Sequence, residues 1–223
     1  MRRELTLKML SLLERHIPEW VIRAQLQILL DTTARGFGVK SRRIAHLSAE
    51  EALRAYAEFT VQCVETCMGS RPGRAAQVER LSSAREQAAD RTWSDAREEK
   101  RAAARRLYRE AYRTGSRIRR ITGLAESRDT ARLVFYLYRN LQISMEGQIP
   151  GEIHVADCYF SRMYTPTQCA VMSLVDSGII AGLCGGGKLK FTERITEGCG
   201  RCTACFTPEP AHAAESKQRV ALI

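Results

Sequence analysis

The chain has 223 residues, 44% of them hydrophobic and 27% charged, with 35 Lys and Arg against 25 Asp and Glu for a formal charge of +10. That balance suits an ordinary globular protein of one large domain or two small ones. It contains no low-complexity segment, and no apolar run approaches the length needed to cross a bilayer.

The N-terminus reads MRRELTLKMLSLLERHIPEW, charges followed by apolar residues. Lys8, Ser11, Glu14 and Arg15 interrupt the apolar stretch and no small-residue cleavage site follows. This predicts an amphipathic helix rather than a signal peptide, and hence a cytoplasmic protein. Thiols stay reduced there. Eight cysteines then point to catalysis, metal binding or core packing before disulfides.

The first apolar stripe, Leu5 to Leu13, stops near Pro18, which suits the opening of a second helix. Val21, Ile22, Leu26, Leu29 and Leu30 continue at helical spacing, and Gly36 and Gly38 are expected to end it. Ser48 and Glu51 form a capping box for a third helix that carries Leu53, Tyr56, Phe59, Cys63 and Cys67. Gly69 to Gly73 reads as a loop.

From Ala75 to Arg120 the pattern is polar and rich in Ala and Arg. It predicts one long helix, or two with a break near Thr92 to Ser94. Between Arg91 and Arg120 eleven basic residues face four acidic ones, a local charge of +7. A helix of this kind can dock nucleic acid or an acidic surface, but a solvated face is the simpler reading. No nucleic-acid module signature accompanies it, so a nucleic-acid partner is not expected. Gly123 should stop the helix, and Ser127 to Ile143 reads as a more buried one.

Six of the eight cysteines fall between Pro150 and Phe206. Glu152 to Phe160 alternates as a strand, with Ile153, Val155, Asp157 and Tyr159 on one side and His154, Ala156 and Cys158 on the other. Thr165-Pro166-Thr167-Gln168 opens a helix by a second capping box, with proline at the first helical position. Cys169, Met172, Ser173 and Asp176 share a face of that helix, because residues three, four and seven apart stack. Gly185 to Gly187 permits a tight turn of positive φ. Lys188 to Thr196 alternates again. If Leu189 and Phe191 face the core, Arg194 and Thr196 face away from it, toward solvent or a cleft. The fold class expected is α+β: a mainly helical N-terminal body with a small C-terminal sheet. Its divisions are a helical region over 1–146, a cysteine-rich α/β catalytic unit over 147–207, and a tail over 208–223.

The run from Cys158 through the Asp176 helix to R-I-T-E-G and Cys202 resembles the L-2-amino-thiazoline-4-carboxylic acid hydrolase family. The positions that carry the likeness are Cys158, Asp176, Arg194, Thr196, Gly198 and Cys202, about a quarter of the chain. The resemblance implies hydrolytic opening of a cyclic amidine ring. Cys199 and Cys205, flanking Cys202, are extra to that pattern.

Three readings of the thiols follow. In the first, a thiolate attacks an electron-poor ring carbon of a small-molecule substrate. Cys158 is the first choice of nucleophile and Cys202 the second. Asp176 moves the proton, and Arg194 and Thr196 anchor the substrate. Arg194 would also lower the pKa of a nearby thiol. His154, on the predicted strand face of Cys158, is a further candidate for substrate binding. No cofactor is expected on this reading. In the second, Cys199, Cys202 and Cys205 hold zinc or an Fe–S cluster in a redox protein. Glu209 stands where the ferredoxin-type run would place its fourth cysteine. In the third, the protein is a ligand- or partner-binding module without chemistry. A homo-oligomer is compatible with all three, and no membrane partner is expected.

Overall fold

The computed structural model describes residues 2–14, 16–68, 83–124 and 126–209 and, of Met68 and residues 83–96, the backbone alone. The expected loop at Gly69 to Gly73, the start of the polar helix at Ala75 and the tail from residue 210 lie outside the described residues. Among those described are six helices, two 3-10 turns and a four-stranded antiparallel sheet, an α+β fold with the sheet at the C-terminal end.

Helix α1 (Arg2–Leu13) buries only Leu10. Helix α2 (Glu19–Phe37) follows Pro18 and ends on Gly38, whose φ of 72° is the left-handed cap that glycine adopts without penalty. Gly36 does not end α2, as its sequence position suggested, but lies within it. A Cβ there would sit 2.6 Å from the Leu107 side chain, so glycine lets another helix come close. Helix α3 (Ala49–Met68) begins on the expected capping box. The Ser48 N–H donates to Glu51 Oε2 at 2.8 Å, and the Glu51 N–H donates back to Ser48 Oγ at 3.3 Å.

Helix α4 (Ser83–Thr122) runs unbroken through Thr92 to Ser94. Its small or apolar residues Ala103, Leu107, Ala111, Thr114 and Gly115 are buried, while Arg105, Arg109, Arg113 and Arg117 face solvent. The basic run is therefore the outer face of a helix whose inner face is core. Gly123, with φ 68°, stops it. Helix α5 (Ser127–Arg139) is shorter than its apolar pattern suggested. Gln142 turns the chain at φ 55°, and Ile143 opens strand β1 (Ile143–Gly147). The sheet thus begins inside the stretch read as helical. Buried residues of the helices and of the sheet belong to one hydrophobic core, so the boundary at residue 146 separates no cores.

Strand β2 (Gly151–Cys158) pairs with β1 on one side and β4 (Cys202–Thr207) on the other, and β3 (Lys188–Glu193) closes the order β1-β2-β4-β3. Helix α6 (Pro166–Cys184) lies between β2 and β3 in sequence. It opens on the Thr165–Gln168 capping box and ends on Gly185 at φ 83°. By length and composition α6 could cross a membrane, contrary to the expectation that no run approached that length. Here it packs against α4.

That contact is made by small residues. A Cβ on Gly178 would lie 2.6 Å from the Ala111 Cβ and 2.6 Å from the Tyr108 carbonyl oxygen. One on Gly182 would lie 2.3 Å from the Tyr112 carbonyl oxygen, and one on Gly115 would lie 2.2 Å from the Ile179 carbonyl oxygen. Backbone meets backbone at a separation that no other residue permits. The Arg119 guanidinium completes the seam beside Gly185, where the α6 carbonyls end and a cation is favoured.

Alanine at Gly182 gains about 1 kcal/mol of helix propensity but must push two backbones apart, which typically costs ~1–3 kcal/mol and more where backbone is the obstacle. Gly182→Ala is therefore expected to lose roughly 2 kcal/mol net in urea unfolding. Gly200→Ala, where nothing lies within 4 Å of the added carbon, should stay within about 0.5 kcal/mol of the parent. Equal midpoints for the two variants would contradict the seam.

Candidate active site

The inner face of the sheet, α6, and parts of α1, α2, α3, α4 and α5 enclose a cavity of about 440 Å³. Asp176, Cys169, Met172 and Ser173 all line it, as the helical spacing of α6 implies. Among the described residues, Asp176 is the one charged residue on its wall. Its carboxyl accepts a hydrogen bond of 2.7 Å from Tyr138 Oη on α5. Burial raises the Asp176 pKa to about 6, only partly offset by the Tyr138 hydrogen bond. A carboxyl poised there can give or take a proton near neutral pH.

Tyr138 is held in turn. Gln25 of α2 donates to the Leu137 carbonyl at 2.7 Å and accepts from Asn140 Nδ2 at 3.0 Å, which ties α2 to the end of α5. Tyr56 and Tyr164 also line the cavity. Tyr56 meets Thr33 at 3.3 Å and Tyr164 meets Thr60 at 2.5 Å, hydroxyl to hydroxyl. Phe160 packs edge-on to Tyr56 and stacks on Tyr164. Sequence reading placed Tyr56 and Tyr138 in helices but gave neither a part in the site. Neither carries a local motif, and only tertiary packing brings them to Asp176.

Two β-bulges decide which strand residues reach the cavity. In β2 the register with β1 passes from Val155 to Asp157 across a single step of β1, which leaves Ala156 as the extra residue. The alternation is reset. Ile153 and Val155 face inward, and Cys158 joins them on the cavity wall instead of sharing the outer face with His154. In β3 the extra residue is Thr192. Leu189 and Phe191 face inward, and beyond the bulge Ile195 and Thr196 line the cavity as well.

Cys158, Asp176, Cys202 and Thr196 are thus brought together. The Cys158 thiol sits at the start of the 3-10 turn Tyr159–Arg162. Burial pushes its pKa up to about 12, against the backbone N–H groups of Phe160 and Ser161, which favour the thiolate. Cys202 is buried and accepts from the Ile195 N–H at 3.4 Å. Burial raises its pKa also, while Arg194 draws it down. Cys169, read from sequence as a packing residue, joins the cluster, its pKa raised by burial and lowered by Thr196 and Arg194. The Thr196 hydroxyl lies near that thiol but makes no hydrogen bond of good geometry, and it is buried.

The remaining candidates stand elsewhere. Arg194 does not line the cavity. Its guanidinium lies 5.1 Å from the centre of the Phe191 ring and 3.2 Å from Glu197, and its Nε is buried without a partner. It acts on Cys169 and Cys202 from behind the wall. His154 is on the outer face of the sheet, 3.1 Å from Glu152, so its expected place beside Cys158 is corrected by the Ala156 bulge. Cys205 is exposed on the outer face of β4, opposite to Cys202, because residues three apart on a strand point to opposite sides. Cys199 lies in the turn between β3 and β4. Among the described residues, no three His, Cys, Asp or Glu side chains converge as metal ligands.

A wider groove of about 1030 Å³ runs between α5 and the edge strand β1. It holds none of the candidate residues, and chemistry is better served by the smaller, enclosed cavity with its titratable cluster. No protein-family model, curated protein or solved structure matches this chain.

A carboxyl whose pKa is higher in the folded state than the ~3.9 of an unfolded chain makes the fold less stable as pH rises through that window. Between about pH 4 and pH 6 the native state holds a proton that the unfolded state has lost, so ionisation costs about 3 kcal/mol by pH 8. Asp176→Asn should remove that cost. Its gain in stability over the parent is expected to approach about 3 kcal/mol at pH 8 and about half of that at pH 5. Thermal melts at the two pH values check this; a gain independent of pH would refute the buried-carboxylate assignment.

Proposed function

We propose that the protein is a small-molecule hydrolase that opens a cyclic amidine-type C–N or C–S ring in the cavity around Asp176. The observation that carries this reading is the pairing of a carboxyl of pKa about 6 with thiols on one enclosed wall. The resemblance to the L-2-amino-thiazoline-4-carboxylic acid hydrolase family supports the same chemistry, since Cys158, Asp176, Thr196 and Cys202 are the residues that carry both.

Cys158 is the nucleophile of this proposal. It rests as the neutral thiol, so it needs a base when it attacks. Asp176 takes the thiol proton as Sγ bonds to the amidine carbon. The same proton passes to the ring nitrogen as the ring C–N bond breaks, which leaves the carbon attached to sulfur. Water then adds to that carbon and gives its proton to Asp176. The C–S bond breaks, and the proton returns to Cys158. One water is consumed, and both residues are restored. Tyr138 steadies the carboxyl, and the Thr196 hydroxyl would turn from the Cys169 thiol to bond the substrate. Arg194 supports the wall electrostatically rather than touching the ligand.

The base form of Asp176 is needed for the first step, so kcat/KM should fall about tenfold per pH unit below pH 6. Turnover of a panel of cyclic amidines and thiazolines between pH 5 and pH 8 measures this. Cys158→Ala is expected to abolish turnover, and Asp176→Asn to lower it by 10²-fold or more, the usual order for a general acid–base. Unchanged turnover in both variants would end the proposal. If Cys202→Ala alone were inactive, the nucleophile would move to Cys202.

A further inference from the structure

The cavity wall restricts the ligand more than the proposed reaction does. Among the described residues no Lys, Arg or His lines it, and Asp176 is the one charged group. The ionised carboxyl has a hydrogen bond from Tyr138 but, among the described residues, no cation beside it. Buried charges in proteins are normally paired, and a ligand that brings a cation would pair this one. An anionic head group would instead meet a carboxylate in a low-dielectric enclosure with nothing to offset it.

Away from that cluster the wall is chiefly hydrocarbon. Leu29, Leu137, Ile153 and Ile179 are among its residues. The cavity continues to a rim where Met9, Trp20 and Ile28 remain 51%, 63% and 48% exposed. Large side chains left open to water beside a cavity mark a binding mouth more often than an accident of packing. A small polar ligand would cover Asp176 and leave this apolar wall against water.

We infer that the cavity takes an amphipathic cation, with an amidinium or ammonium head against Asp176 and a hydrocarbon body lying along the wall toward the Trp20 rim. This rests on the reading of the cavity as the substrate site and narrows its substrate class. On this inference the substrate carries an alkyl or aryl substituent on the amidine and, unlike the acid in the name of the family that the sequence resembles, no free carboxylate.

Binding tests this without turnover. Acetamidine, octanamidine, octanamide and octanoate are titrated calorimetrically into the 223-residue protein at pH 7.5. Each added methylene should tighten binding by up to about fourfold, from ~0.8 kcal/mol per buried CH₂. Octanamidine is therefore expected to bind at least roughly a hundredfold tighter than acetamidine, and much tighter than octanamide or octanoate. Its advantage over octanamide should vanish in Asp176→Asn. Ala24 lines the rim and is exposed, so Ala24→Trp can narrow the mouth without disturbing the core. That variant should weaken octanamidine binding at least about tenfold. Octanoate binding as tightly as octanamidine, equal affinity for the short and long amidines, or no effect of Ala24→Trp would each overturn the inference. A protein that binds octanamidine but hydrolyses no cyclic amidine would sustain this inference and end the proposed reaction. One that hydrolyses short anionic thiazolines with no gain from an alkyl group would do the reverse.

Discussion

The close approach of α4 and α6 is the contact on which the rest of the molecule depends. Gly178 and Gly182 on α6 face Ala111 and Gly115 on α4, each pair one turn apart, so the two backbones touch over more than a turn. Small residues at this spacing replace side-chain interdigitation with contact between main chains, which fixes both the rotation and the height of one helix on the other. With α6 fixed, its other face is fixed too. Cys169, Met172, Ser173 and Asp176 point at the sheet because the glycines point at α4. Gly36 repeats the arrangement between α2 and α4 at Leu107. The polar, arginine-rich helix is therefore the centre of the body, and its charge is the solvent side of a structural strut.

The sheet supplies the opposite wall, and its irregularities do the selecting. A perfect two-residue alternation would carry Cys158 outward with His154 and leave the chain after β3 with a different side toward the core. One extra residue in each of β2 and β3 reverses those outcomes, in the way bulges re-aim side chains beside functional sites. The energetic consequence appears at Asp176. Enclosure by Tyr56, Tyr138 and Tyr164 strips water from the carboxyl, and Tyr138 returns one hydrogen bond. The balance leaves the group near neutrality instead of fully acidic, a state that water alone would not produce.

Local signals in the sequence were legible where they act locally. Both capping boxes formed as written at Ser48 and Thr165, and Gly38, Gly123 and Gly185 ended helices in the left-handed conformation they favour. The shared face of Cys169 to Asp176 followed from helical period alone. What failed was decided by distant partners. Ile143 was read as the end of a helix, and no strand was expected over Ile143 to Gly147, because five residues after an apolar helix carry too little alternation to declare one; pairing with β2 makes them a strand. Gly36 read as a helix stop, yet its purpose is contact with a residue 71 positions away (107 − 36). The bulges are invisible to a periodicity argument, since Ala156 and Thr192 differ in nothing local from their neighbours. The tyrosines around Asp176 come from three separate elements, and no spacing in the chain joins them.

Helix α1 contributes to the cavity rim through Met9 and Leu13, yet it buries Leu10 alone. Leu7 and Leu13 pack partly against the core, and ion pairs add to its attachment. Arg3 reaches Glu126 at 2.6 Å and Asp129 at 2.7 Å, and Glu14 is gripped by Arg132 at 2.5 Å. Such exposed pairs contribute ~0–1 kcal/mol each and fade as counterions crowd the surface. The two ends of one cavity therefore answer to different solvent properties. Its interior, enclosed by hydrocarbon and a single carboxyl, responds to protons. Its doorway, fastened by charges that dissolved ions can shield, responds to ionic strength.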